Sequence, residues 1–465
     1  MSLTLRPYQS QLVERARASL LSGRRAPLLV APCGSGKTVC FSYFAQRVRE
    51  KGKRVLILAH REELLDQISA TLDQFDVEHS FVAAGRHHRK HVPVQVASVF
   101  TLVRRLDAIL PPDLIIIDEA HHAILGSTWN RVLERFSSAH RIGVTATPER
   151  LSGEPLHDVF DDLILGPSVK DLIGLGALSP YRLFAPASNM DMKAVHVRAG
   201  DFAKNELVLA ADKPSITGDA IAHYRKLADG KRAVAFCVSI EHARHVAAQF
   251  RNCGYESVTI DGTLDRDIRK GIIRDFRDGK IRVLTSCDVI SEGFDVPGIE
   301  VAIMLRPTCS LALWIQQTGR ALRTSEGKDY AIILDHAGNA ARHGLPDEDR
   351  EWSLEGRPDA KSTGERVKAI RTCPMCFAAQ APSRTSCFVC NHVFEVEPRK
   401  VEHRDGELVE VDPRLVQRQK RVEQGQAHSF NELVELGKRR GMKRPYMWAK
   451  YVFNARQSKK LGGMA

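Results

Sequence analysis

No stretch of this 465-residue chain approaches the roughly 20 consecutive apolar residues that a bilayer-crossing helix needs. The N-terminal segment "LRPYQSQLVERARASLL" lacks the apolar core of a secretory leader and reads as an amphipathic helix that starts the fold. A soluble, cytoplasmic enzyme is therefore the expectation. Long disordered tracts are not expected either, because 43% hydrophobic and 27% charged residues is an ordinary globular balance. A nuclease centre is not expected either. No pair of acids at a strand end is followed by Glu-x-Lys, and "PDAK" at 358–361 lacks its partner acid. At this length one core does not suffice, and the chain should divide into about three units.

The net charge of +12 favours a polyanionic partner, and its placement says more than its size. From Pro413 to Ala465 there are 13 Lys and Arg against 3 Glu and no Asp, a net of +10. A localised basic module is implied. Of ten cysteines, four fall as Cys373-x-x-Cys376 and Cys387-x-x-Cys390 while the rest are scattered. Without a secretory leader, that spacing favours a metal site in a reducing compartment.

"APLLVAPCGSGKTVCFSYFAQRV" predicts a buried strand over Leu28–Ala31, a glycine turn, and a helix from about Lys37. Such a turn is an anion cradle, with backbone N–H groups of Gly34, Ser35, Gly36, Lys37 and Thr38 and the positive helix end converging on a phosphate. Lys37 adds a full charge for the β- and γ-phosphates of ATP, and the Thr38 hydroxyl can ligate Mg²⁺. "LIIIDEAHHA", Leu114 to Ala123, supplies the complement. Four apolar residues read as a strand buried on both faces, ending at two carboxylates. Asp118 suits a Mg²⁺ ligand through water, and Glu119 can orient and deprotonate an attacking water.

"GSGKT" at 34–38 with "DEAH" at 118–121 resembles the superfamily-two helicases and translocases of the DEAD/DEAH-box kind. The resemblance covers about residues 3–340, with motifs in the family's order. It implies a fold of two tandem RecA-like parallel-sheet domains and an ATP-driven motor acting on nucleic acid. "LRPYQ" at 5–9 resembles the adenine-recognition segment, with Gln9 as reader. "LILAHREELLDQ" at 56–67 implies that Arg61 lies near a nucleic-acid backbone. "VASVFTLVRR" at 96–105 resembles a strand-tracking motif in which Phe100 replaces a polar residue. "GVTATPER" at 143–150 matches the motif coupling hydrolysis to domain movement, with Thr145 and Thr147 as its hydroxyls. "TSCDVISEGFDVP" at 285–297 implies that Gly293 and Asp295 touch nucleotide and nucleic acid. "QQTGRALR" at 316–323 matches Q-x-x-G-R-x-x-R, making Gln316, Arg320 and Arg323 catalytic. An arginine finger offsets charge developing on the transferred phosphoryl group, and an i, i+3 pair can face one cleft. His121 completes the DEAH motif and, with His122 beside it, is expected at the domain interface.

The resemblance sets the expected boundaries at 1–166 for the first RecA-like ATP-binding domain and 167–344 for the second. A polar linker over 345–368 follows. Residues 369–400 form a zinc-ribbon-like knuckle in which Cys373, Cys376, Cys387 and Cys390 hold Zn²⁺, redox dithiols being the other reading. Residues 401–465 form a basic helical module, with a Ser429/Glu432 capping box and a second helix opened by Pro445. Lys438, Arg439, Arg440, Lys443 and Arg444 either meet nucleic-acid phosphates or stay solvated while the aromatics pack. "EGFDVP" looks more like phage and repair-type DEAH enzymes than RNA-processing relatives. DNA is the expected partner, in the nucleoid or a phage-infected cytoplasm. A restriction-type motor subunit, an RNA helicase and a silent nucleic-acid scaffold are the alternatives.

Overall fold

The computed structural model describes residues 4–123, 128–150, 153–186, 195–198, 201–287, 296, 298–356, 370–394, 422–442 and 445–461. Its strands up to residue 165 are β1 (Pro27–Val30), β2 (Val55–Ala59), β3 (His79–Val82), β4 (Val94–Ser98), β5 (Leu114–Asp118), β6 (His140–Thr145) and β7 (Asp162–Leu165). They form one parallel sheet in the order β3-β4-β2-β5-β6-β1-β7. Side chains alternate across a strand, so each apolar run feeds two cores. Leu29, Ile57 and Ile116 pack under the helices Pro7–Leu21, Lys37–Arg49 and Glu62–Gln74. Leu28, Leu56, Ile115 and Ile117 pack instead with Trp129, Val132 and Phe136 on the other face. Each fully buried Leu or Ile contributes about 1.5–3 kcal/mol of transfer free energy. The expected strand over Leu28–Ala31 appears one residue earlier.

β8 (Tyr181–Phe184) opens the second layer, and a two-strand ribbon, β9 (Val197–Arg198) with β10 (Asp201–Phe202), follows it. Then come β11 (Ala233–Phe236), β12 (Ser257–Ile260), β13 (Val283–Ser286), β14 (Val301–Met304) and β15 (Ala331–Asp335). The second sheet runs β12-β13-β11-β14-β15-β8, and every pairing in it is parallel. Two parallel α/β lobes are thus present, and β1 and β5 of the first end at the cleft.

Composition alone makes residues 345–356 look like spacer, yet they are anchored to both lobes. Trp352 packs against both the second-lobe core around Trp314 and the first-lobe core around Phe160. Leu354 O accepts hydrogen bonds from Leu156 N at 2.7 Å and His157 N at 3.2 Å. Arg350 donates to Leu345 O and Glu348 O at 2.8 Å, which holds the preceding turn.

The four-cysteine segment also docks on a lobe. Its hairpin, β16 (Arg371–Thr372) with β17 (Ala379–Gln380), bridges from Ala378 to Phe184 at the edge of β8. Ala185 N donates to Phe377 O at 2.9 Å. Cys373, Cys387, Ala378 and Phe394 join the core that contains Phe184, Phe202 and Tyr224. A segment too poor in apolar residues to fold alone thereby borrows a core.

Residues 395–465 form a separate unit. Within it the helices Phe430–Arg439 and Pro445–Leu461 enclose Leu433, Leu436, Ala449 and Val452. The Ser429/Glu432 capping box is formed in both directions. On the second helix the sequence offered aromatics that could pack while the charges stay solvated. Trp448 and Val452 turn inward, while Tyr446, Met447 and Tyr451 are exposed. No helix among the described residues is long and apolar enough to cross a membrane.

Candidate active site

The loop after β1 turns on Gly34 and Gly36, whose φ values of 83° and 82° lie in the left-handed region that side chains tolerate poorly. Gly36 is the N-cap of the helix Lys37–Arg49, so loop N–H groups and the positive helix end converge. A Cβ on Gly36 would collide with the Gln9 amide. One on Gly34 would sit 2.8 Å from Leu178 Cδ2 and 3.2 Å from Arg323 Cγ. The loop is therefore gripped by the first helix on one side and by the second lobe on the other.

Gln9 Nε2 donates to Ser35 O at 3.0 Å, and its Oε1 accepts from Arg6 N at 2.9 Å. Tyr8, which the sequence did not single out, donates to the same Ser35 carbonyl at 2.9 Å. Gln9 thus braces the phosphate loop while still lining the cavity in front of it. Lys37 Nζ donates to Ala31 O at 3.2 Å.

β5 ends at Asp118, next to β6, and both carboxylates of the motif are buried. Burial first, and the neighbouring Glu119 second, push the Asp118 carboxyl up to about 7, with Lys37 and Arg320 opposing. A buried carboxyl short of compensating charge suits a hard divalent cation, for which Thr38 lines the same cavity. Glu119 has a φ of 47°, a strained value for a residue with a side chain. Its Oε2 is buried without a hydrogen-bond partner among the described residues. His121 Nδ1 lies 3.0 Å from Thr145 Oγ1 and 3.6 Å from Glu119 Oε2. Thr145 Oγ1 in turn donates to Thr147 O at 3.0 Å.

The second lobe supplies the opposite wall. Arg320, on the helix Leu311–Ala321, and Arg323, just beyond it, line one cavity of about 610 Å³ together with Lys37, Asp118 and Glu119. Burial there depresses the Arg323 guanidinium below its ordinary range. Gln316 is buried one turn before Arg320, and neither it nor His121 is among the lining residues. Lys328, another residue not expected from sequence, donates to Ile299 O at 2.8 Å, Arg323 O at 2.7 Å and the carbonyl of Ala321. It caps the C-terminal end of the arginine helix, and burial lowers its ammonium to about 8. Its signal in sequence is weak, a lone lysine in "SEGKDY".

Arg61 occupies the N-cap position of the helix Glu62–Gln74, without a side-chain capping bond, and is not among the residues lining this cavity. Gly293, Asp295, Lys443 and Arg444 lie outside the described residues. In the C-terminal unit Lys438 pairs with Glu435 at 2.7 Å. Arg440 is drawn into structure, paired with Glu423 at 2.9 Å and lying over the Trp448 ring. Arg439 borders a hollow with Glu432 and Glu435.

The sulfurs of Cys373, Cys376, Cys387 and Cys390 all lie within 4.8 Å of one another. Cys373–Cys390 and Cys376–Cys387 are each 3.6 Å apart. Metal–sulfur bonds of about 2.3 Å in a tetrahedron separate sulfurs by about 3.8 Å, so the cluster fits Zn²⁺. Two matching turns build it, with Phe377 N bonded to Cys373 O and Asn391 N to Cys387 O, both at 2.9 Å. Phe377 and Asn391 share left-handed φ values of 60° and 58°. At Cys373, burial raises the thiol, but N–H groups of Cys376 and Met375 more than offset it, leaving it at about 7. His392 is not part of the cluster.

Residues 2–150 match the family described as type III restriction enzyme, res subunit, and residues 213–325 match the helicase conserved C-terminal domain. A 51.5 kDa protein of a Lactococcus phage is 35% identical over 397 residues, 84% of this chain and 83% of that one. IRC3 of Saccharomyces cerevisiae, named as a candidate ATP-dependent helicase, is 29% identical over 355 residues. That match takes in 72% of this chain but only 51% of the yeast protein. The DNA 3'-5' translocase XPB2 of Sulfurisphaera tokodaii is 24% identical over 379 residues, 73% of this chain and 83% of its own. The fold is shared with a fragment ascribed to the HsdR subunit of a type I restriction enzyme from Vibrio vulnificus. That likeness has a TM-score of 0.57 at 24% identity, over 73% of this chain and 67% of the other. With a phosphate loop, a DEAH strand end and a paired-arginine helix meeting in one cleft, the chain belongs to the superfamily-two helicases and is an ATP-hydrolysing motor of that superfamily.

Proposed function

We propose that this motor acts on DNA, closing its two lobes around ATP and reopening them after hydrolysis to step along or part the strands. The observation that carries the reading is the shared cavity, where Lys37, Asp118 and Glu119 of one lobe face Arg320 and Arg323 of the other. Lys37 and the loop N–H groups hold the β- and γ-phosphates. Thr38 and Asp118 hold Mg²⁺, which when bound neutralises phosphate charge as a Lewis acid. Glu119 receives the proton of the attacking water, whose oxygen forms the new bond to γ-phosphorus as the bond to ADP breaks. Arg320 and Arg323 offset charge on the phosphoryl oxygens, a role worth roughly 10³–10⁵ in rate. Gln316 positions the arginine helix, and His121 holds Glu119. Loss of the γ-phosphate removes the bridge between lobes, and the cleft parts.

DNA is favoured by the relative named as a DNA translocase, by the "EGFDVP" resemblance, and by the net +10 of residues 413–465. In the C-terminal unit Lys438 and Arg439 are the described residues offered to phosphates, with Lys443 and Arg444 beside them in sequence. Arg61 meets the backbone on the first lobe. The four cysteines bind structural Zn²⁺. The matched restriction family keeps a restriction-type motor as the second reading, with a nuclease supplied by another chain. ATP turnover measured side by side with single-stranded, duplex and forked DNA and with RNA tests the proposal. The expected result is stimulation by DNA that Lys37→Ala or Glu119→Gln abolishes while DNA binding persists. Stimulation by RNA alone, or full turnover in either variant, would refute it.

A further inference from the structure

Beside the nucleotide cavity, three histidines from two strand ends form a continuous stack. β2 and β5 run side by side with Leu58 opposite Ile117, so His60 and the Asp118–His122 turn emerge as neighbours. The His60 and His122 ring centroids are 4.4 Å apart, tilted by 51°. Those of His122 and His121 are 4.1 Å apart, tilted by 41°. At the outer end, Arg61 Nε donates to His60 Nε2 at 3.3 Å. At the inner end, His121 reaches Glu119 Oε2 at 3.6 Å and Thr145 Oγ1 at 3.0 Å.

We infer that His60 and His122 are positioning residues that relay occupancy at Arg61 to the Glu119 carboxylate. This rests on the reading that Arg61 meets a nucleic-acid backbone and Glu119 takes the water proton. A phosphate attracts the Arg61 guanidinium more strongly than a neutral imidazole nitrogen does, because the new bond is charge-assisted. The His60 ring then loses the hydrogen bond from Arg61. Rings packed at about 4 Å cannot move singly, so a shift of His60 is passed through His122 to His121. His121 lies 3.6 Å from a Glu119 oxygen that has no hydrogen-bond partner among the described residues and sits on a strained backbone, so a small displacement there re-aims the carboxylate. His60 and His122 are not among the residues that line the nucleotide cavity, so their effect is expected in coupling.

The test uses the full-length protein with His60→Ala, His122→Ala, the double variant, and His122→Phe. ATP turnover is read with and without saturating single-stranded DNA, alongside DNA binding by fluorescence anisotropy. Either alanine variant should keep the wild-type rate without DNA and its DNA affinity, but lose at least about fivefold of the stimulation. The double variant should be no worse than the singles, because both interrupt one path. His122→Phe, which keeps a ring in the stack, should restore much of the stimulation and guards against a folding artefact. Full stimulation in both alanine variants, or a parallel fall in the unstimulated rate, would overturn the inference alone. A wild-type protein that no nucleic acid stimulates would overturn the underlying reading and this inference with it.

Discussion

Gly319 of the second lobe presses on Cys33 of the phosphate loop so closely that a Cβ on Gly319 would lie 2.7 Å from Cys33 Cβ. One methyl group is therefore enough to separate the arginine helix from the loop. Gly319→Ala should leave ATP binding nearly intact, because Lys37 and the loop stay where they are. Turnover should fall by at least about tenfold, since Arg320 and Arg323 would be held back from the phosphate. Nucleotide binding by fluorescence and steady-state turnover on the same sample check this. Removing the contacted Cβ with Cys33→Gly should relieve part of the loss.

Lys328 holds three carbonyls at the end of the same helix, including that of Arg323. Lys328→Met keeps the length of the side chain and removes its donors. The variant should lose about 1–3 kcal/mol of stability from carbonyls left unpaired, and kcat should drop more than KM rises. Thermal melts together with a full kinetic series decide the point. Because burial lowers this ammonium to about 8, its charge is present at neutral pH and is lost as pH rises past that value. Between that value and the ordinary 10.5 of the unfolded chain the unfolded state binds more protons, so wild-type stability rises with pH and the stability deficit of the methionine variant should widen in alkaline buffer.

Cys373 and Cys387 sit in the core that contains Phe184 and Tyr224. Metal removal should therefore loosen the second lobe and not only the hairpin. Protein purified without chelator should contain a single equivalent of zinc, released on denaturation. Cys373→Ser should abolish the metal and lower the melting temperature of the second lobe. A metal-free protein with an unchanged melt would contradict the structural role.

Two buried imidazoles predict acid sensitivity. Burial depresses His242 to about 4 and His336 to about 3, the first opposed by Asp212 and the second aggravated by His223. In the unfolded chain both titrate near 6.5, so between that value and the depressed ones the unfolded state binds more protons. Stability is then fully present above about 6.5 and falls as pH drops. The slope is on the order of 1 kcal/mol per pH unit for each histidine. Urea midpoints at pH 7.5 and 5.5 should differ accordingly, and His242→Leu should flatten the dependence.

Much of this protein was legible in one dimension because its chemistry is carried by contiguous residues. The left-handed turns at Gly34 and Gly36 permit a cradle, and the run Leu114–Ile117 demands burial on both faces. Asp118 and Glu119 must then emerge where that strand stops. The cysteine spacing and the Ser429 cap are likewise local, and local rules recover them. Contacts between distant segments left no such trace. Trp352 reads as one aromatic in a polar spacer until two cores close on it. Lys328 is an anonymous lysine until a helix end arrives above it, and His60 gains a neighbour only when β2 lies beside β5. Local sequence determined the glycine turn, the cysteine spacing and the strand ends, because hydrogen bonding and backbone freedom act over a few residues. Tertiary structure alone decided which side chains share the cleft, because burial and charge pairing depend on what the fold sets opposite them.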